Sequence, residues 1–158
     1  MGLFDAFFGK KKDNLLAHTN NLSMEEMARI QDSLSDKMDA EVYNNKFNQA
    51  CRLVPKGNYA EALAIFEDVK AHTEVIETKG TCDNQIGVCY FFLEDYEKAI
   101  AYYTSSIDNG FEKGMADDNI WEAYEILYNK TKDKSYIEKY KQQFPQGNSI
   151  KKAIKILG

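Results

Sequence analysis

The residues able to do chemistry in this chain are few and far apart. There are two histidines, His18 and His72, and three cysteines, Cys51, Cys82 and Cys89. Cys82 and Cys89 are seven apart, a spacing that suits one face of a helix and fits no tetrahedral zinc motif, so the cysteines read as small buried hydrophobes. No glycine-rich phosphate loop, nucleophile elbow or paired-histidine zinc motif occurs. The carboxylate pairs Glu94-Asp95 and Asp117-Asp118 flank expected helix starts, where negative charge favours the helix dipole. Catalysis needs an identifiable nucleophile, base or metal constellation. The expectation is a protein with no catalytic residues, no metal and no cofactor.

Chemistry of a different kind lies in the aromatic and small residues. Tyr59, Ala62, Leu63 and Phe66 fall at i, i+3, i+4 and i+7, one stripe of an α-helix. Tyr96, Ala99, Ile100 and Tyr103 repeat that stripe, and the segment Gly57–Phe66 lies over Glu94–Tyr103. Ile86-Gly87-Val88-Cys89-Tyr90 recurs 34 residues later as Ile120-Trp121-Glu122-Ala123-Tyr124. Self-similarity at this period marks stacked helix pairs. Pro55-Lys56-Gly57-Asn58 supplies a stop, a left-handed position and a cap candidate between the helices of one pair. Gly87 lies inside a helical stretch from about 82 to 93, which makes sense where another helix crosses it.

This pattern resembles the tetratricopeptide repeat, whose signature has Gly-x2-Tyr on the first helix of each pair and Ala-x3-Phe on the second. Residues 80–113 carry Gly87, Tyr90, Ala99 and Tyr103 at those places. Residues 43–76 carry Ala62 and Phe66, with Ala50 for the glycine and Leu53 for the tyrosine. Residues 114–147 keep Tyr124, but Trp121 replaces the glycine and about six extra residues separate Tyr124 from Tyr136. The resemblance implies an all-α fold, a right-handed superhelix of antiparallel helix pairs with three repeats, the third degenerate.

Flanking segments read as caps of the stack. Ser23-Met24-Glu25-Glu26 is a capping box that opens a leading helix over about 24–39, with Met27, Ile30, Leu34 and Met38 at helical spacing. At the other end, Ser149 is expected to cap a short helix with Ile150, Ala153, Ile154 and Leu157 on one face. A polar outer helix is what a solenoid end needs. About eight helices are expected across 24–157, with a division into an N-terminal segment and polar hinge at 1–22 and a repeat domain at 23–158.

The chain has 158 residues, 44% apolar and 28% charged, the make-up of one domain with a real core. No apolar run approaches the ~20 residues of a membrane span and the N-terminus has no secretory signal pattern, so a cytoplasmic protein is expected. The net charge of −5 is polarised: residues 114–158 carry eight lysines against six acids, whereas 41–113 carry seven basic groups against twelve. The lysine-rich stretch from Lys130 reads first as a solvated face. With only Arg29 and Arg52 for arginines and an acidic balance, nucleic acid is not an expected partner. Leu3, Phe4, Phe7 and Phe8 share one helical face ahead of Lys10-Lys11-Lys12. Residues 3–12 therefore suit a membrane interface, docking on the repeats, or a loosely ordered terminus.

In the family, the first helix of each pair lines a concave face that receives a peptide or a partner's helix. The resemblance places Asn44, Phe47 and Cys51, then Asn84, Val88, Phe91 and Phe92, then Asp118, Glu122 and Glu125 on that face. Members that grip the acidic terminus of heat-shock chaperones use basic and amide residues there. The aromatic and acidic set here suits an apolar segment bearing Lys or Arg. Two functions follow: an adaptor or scaffold for a protein partner, or a dedicated chaperone similar to the small three-repeat chaperones of bacterial type III secretion.

Overall fold

A computed structural model describes residues 24–158. The expected capping box at Ser23 and the N-terminal segment 3–12 lie outside the described residues. The chain divides into two compact units, Met1–Val42 and Tyr43–Gly158.

Seven α-helices and one short 3-10 helix form among the described residues. They are α1 (Met24–Leu53), the 3-10 turn Val54–Lys56, α2 (Tyr59–His72), α3 (Ile76–Phe92), α4 (Tyr96–Asp108), α5 (Lys113–Thr131), α6 (Ser135–Gln143) and α7 (Ile150–Leu157). The expected stop near residue 39 is absent, so the leading helix and the first helix of the first pair are one element. No Gly or Pro lies between Met24 and Pro55 to break it. In the first unit, the described side chains of α1 are exposed, and Arg29 Nη2 donates to Glu25 Oε1 one turn away at 2.9 Å.

The second unit begins at Tyr43 and contains the two packed clusters described here. Helices α2 to α7 are joined by short turns and pack in sequence, each against the next, as in helical-repeat proteins generally, and the C-terminal part of α1 meets α2 through Phe47 and Ala50. Gly57 stands at φ +79°, which lets the chain reverse between the 3-10 turn and α2 while its N–H donates to the Val54 carbonyl. Asn58 occupies the N-cap position of α2 but makes no side-chain cap bond; Asp95 does cap α4, accepting from the Lys98 N–H.

The predicted stripes face inward. Ala62, Phe66, Ala99, Ile100 and Tyr103 are buried, while Tyr59, Leu63 and Tyr96 are half-buried at the edge. One core cluster joins Ala50, Ala62, Phe66, Ile86 and Cys89, and the Phe47 ring meets the Phe66 ring edge-on at 5.3 Å. Burying a side chain such as Phe66 contributes roughly 1.5–3 kcal/mol. The larger cluster runs through α4, α5, α6 and α7 from Ala99 to Ala153. Gly87 marks a true crossing: a Cβ there would stand 2.7 Å from the Tyr103 ring and 3.2 Å from the Ala99 carbonyl oxygen.

At the third pair the geometry changes. The second helix α6 has nine residues where α4 has thirteen. Trp121, standing where the second pair has Gly87, is buried and its ring meets that of Tyr140 at 4.9 Å. A large indole fills volume that the longer helix and its tyrosine fill in the preceding pair.

Two expectations at the last helix are corrected. Ser149 precedes α7 without a side-chain cap bond, and its N–H instead donates to the Tyr140 hydroxyl at 3.1 Å. Ile154 is not on the inward face: it is 53% exposed, while Ala153 is buried and Ile150, Ile156 and Leu157 pack against the core.

Candidate partner-binding surface

Three polar clasps hold the helix pairs of the second unit and fix what each first helix can present. Lys46 on α1 donates to Asp68 on α2 at 2.7 Å, across 22 residues of sequence. On α3, Asp83 is fully buried and accepts from Ser105 of α4 at 2.8 Å, again across 22 residues. Asp83 also accepts from Asn109 at 2.8 Å and pairs with Lys70 of α2 at 2.5 Å, so one carboxylate ties α2, α3 and the end of α4. On α5, buried Asp117 accepts from the Tyr140 hydroxyl across 23 residues and from the Asn148 N–H at 2.7 Å. Asp117 is not at the helix start expected for it, since α5 begins at Lys113 with no acid in its first turn; it is a buried acceptor with two donors, as a desolvated carboxylate requires.

Of the residues expected to bind on α1, α3 and α5, Asn44, Phe92, Asp118 and Glu122 are exposed, and the others are half-buried or buried. Asn44 is exposed near the start of the second unit. Phe47 is half-buried against Phe66. Asn84 is only 5% exposed and its side-chain oxygen accepts from Asn119 of α5 at 3.2 Å, which engages it between helices. Val88 and Phe91 are half-buried against the larger cluster, and Phe91 meets both Tyr96 and Phe92 edge-on. Asp118 is exposed and accepts from the Asn148 amide at 3.1 Å. Glu122 is exposed and Glu125 half-buried.

Phe92 stands apart from this set. It is 52% exposed, and its ring stacks on Tyr59 with centroids 5.1 Å apart and planes within 7°. The two rings border an open hollow of about 500 Å3, lined by Cys51, Val54, Pro55, Tyr59, Gln85 and Phe92. Its wall is made by the C-terminal turn of α1, the 3-10 turn, the first residue of α2 and the outer face of α3. Leu93, 48% exposed, follows Phe92 directly. Cys51 and Phe92 were expected on the binding face; Val54, Pro55, Tyr59 and Gln85 were not. The missed signal is helical: Gln85 and Phe92 are seven apart, two turns along one face of α3.

The hollow is lined mainly by apolar side chains, with Gln85 its one amide. Burial raises the Cys51 thiol above its ordinary value, which keeps it neutral. Cys82 and Cys89, inside the core, are pushed up to about 11 by burial, with the neighbouring Asp83 carboxylate adding to the shift at Cys82. Among the described residues no group of three or more His, Cys, Asp or Glu is placed to hold a metal ion, and no helix is long and apolar enough to cross a membrane. Comparison with protein-family models, with curated proteins and with solved structures returned no significant match.

Proposed function

We propose that this chain is a tetratricopeptide-like interaction module that holds an apolar segment of a protein partner, a peptide or a helix, with no chemistry performed on it. The observation that supports this most is the exposed Phe92–Tyr59 stack at the mouth of an apolar hollow. An aromatic pair half in water next to an apolar wall gains energy when a partner side chain covers it. Glu122, exposed on the next first helix, suits a Lys or Arg flanking the anchor and acts mainly on encounter rate. Within this reading the adaptor role comes first and the secretion-type chaperone second, since both use the same face.

The test is recovery of the partner from the native cell on the parent protein and on Phe92→Ala. The expected result is one partner retained by the parent and weakened at least 10-fold by the substitution, the loss typical of an anchor residue. Retention at equal strength by Phe92→Ala would remove the hollow from the binding site. An exported client would assign the chaperone role and a resident complex the adaptor role.

A further inference from the structure

The far end of the second unit carries a surface that peptide binding at the hollow does not use. On α7, Ala153 is buried and Ile150, Ile156 and Leu157 pack inward, so the outward arc holds Lys151, Lys152, Lys155 and Ile154. At 100° per residue the three lysines span about 100° of the helix circumference and Ile154 lies beside Lys151. All three lysines are exposed, and Ile154 is 53% exposed. Lys134 joins them from the start of α6, its ammonium donating to the Leu157 carbonyl at 3.1 Å. Among the described residues none of these four lysines forms an ion pair, although Lys46, Lys70, Lys79, Lys98 and Lys130 all do. The nearby acid of the α6 start, Asp133, is committed to the Ser135 N–H at 2.9 Å, and Glu138 is the one acidic residue within α6.

We infer that this lysine-rich face of α7, with Ile154 at its edge, docks on an anionic lipid bilayer. Four ammonium groups that form no ion pair among the described residues are drawn to an anionic surface. The group chemistry favours a bilayer over a shaped acidic partner. Lysines are point charges that need no matching geometry, whereas specific recognition of a carboxylate or phosphate favours the arginine fork, and no arginine lies beyond Arg52. An isoleucine left exposed at the border of a lysine arc has no role in a purely ionic contact. It does have one at a headgroup boundary, where the lysine stems lie along the interface and the apolar tip inserts.

The experiment is sedimentation of the full chain with phosphatidylcholine vesicles, with and without phosphatidylserine. The expected result is binding to the phosphatidylserine vesicles alone, weakening as salt is raised. Lys151→Gln, Lys152→Gln and Lys155→Gln together should lower the partition coefficient on the order of 100-fold. Ile154→Ala should lower it several-fold without changing the salt dependence. These positions are exposed, and an unchanged melting curve checks that each variant folds. A full-chain control with Lys10→Gln, Lys11→Gln and Lys12→Gln should keep most of the binding. Equal binding to both vesicle types, no binding to either, or loss only in the Lys10–Lys12 variant would overturn the inference. Binding to soluble polyglutamate without binding to vesicles would do so as well, by assigning the face to an acidic polypeptide.

Discussion

Asp83 and Ser105 meet at 2.8 Å across the second helix pair at the same sequence distance, 22 residues, at which Lys46 and Asp68 meet across the first. The third pair places Asp117 and Tyr140 at 23. The polarity is reversed once, a cation on the first helix of the first pair and a carboxylate on the other two. What recurs is a polar contact from the first helix of a pair to the last two turns of the second. A repeat that keeps a position polar while exchanging its charge keeps the clasp and loses the residue signature.

Asp83 should be the most expensive polar residue to remove. Asp83→Ala leaves Ser105, Asn109 and Lys70 without their acceptor in a buried site, a loss of about 3 kcal/mol. Ser105→Ala, which removes one of three donors, should cost about 1 kcal/mol. Urea unfolding of the two variants measures both. Equal stabilities would mean that the buried carboxylate is not held by this network.

Small residues at the helix crossings should resist enlargement. Gly87→Ala drives a methyl into the Tyr103 ring, and Ala99→Leu overfills the fully buried opposite side of the same contact. Each should lower stability by roughly 1–3 kcal/mol. Thermal melts matching the parent's would show that α3 and α4 do not cross at this point.

Thiol reactivity should follow burial. With Cys82 and Cys89 pushed up to about 11 and buried, neither should react with a thiol reagent in the folded protein at neutral pH. Cys51, half-buried at the hollow, should react slowly, and all three should react at once in denaturant. Mass analysis of labelled peptides distinguishes them. Rapid native labelling of Cys89 would contradict the core placement.

Tyrosine ionisation should limit stability in alkali. Burial raises the phenols of Tyr103 and Tyr140 above their ordinary value of 10.0, with the Asp117 hydrogen bond adding at Tyr140. A raised folded value gives stability that is whole below pH 10 and is lost as pH rises through the folded value, because the unfolded chain releases those protons first. Phenolate absorbance should therefore show an exposed set titrating near its ordinary value and a buried set appearing only with the loss of helical signal. A single smooth titration of all ten tyrosines in the folded state would contradict this.

The apolar half of this architecture is legible in the sequence and the polar half is not. Tyr59, Ala62 and Phe66 announce α2 and its inward face, and the parallel run at Tyr96, Ala99 and Tyr103 announces α4, because apolar side chains have one favourable destination. Asp83 and Asp117 have two: a carboxylate ordinarily sits in water, and only donors 13 or more residues away make burial tolerable. The continuity of α1 is invisible for a related reason, since helical periodicity shows where a face is apolar and not where one helix passes into the next. Ile154 fits the inward stripe by spacing alone, yet α7 turns Ala153 to the core and sends Ile154 outward. At the hollow, Phe92 is foreseeable from its place on the first helix of its pair. Val54 and Pro55 are not, because a turn is read as a connector before it is read as a wall.

Site-specific cross-linking would locate the partner on the surface of the protein. A photoreactive side chain placed at Gln85, inside the hollow, and separately at Ala64, exposed on α2 and outside the hollow's lining, would be activated in the native cell. Binding at the hollow predicts one partner adduct from position 85, its loss when Phe92→Ala is added, and none from position 64. An adduct to the same partner from position 64, with none from 85, would place binding on another face and contradict the assignment of the hollow.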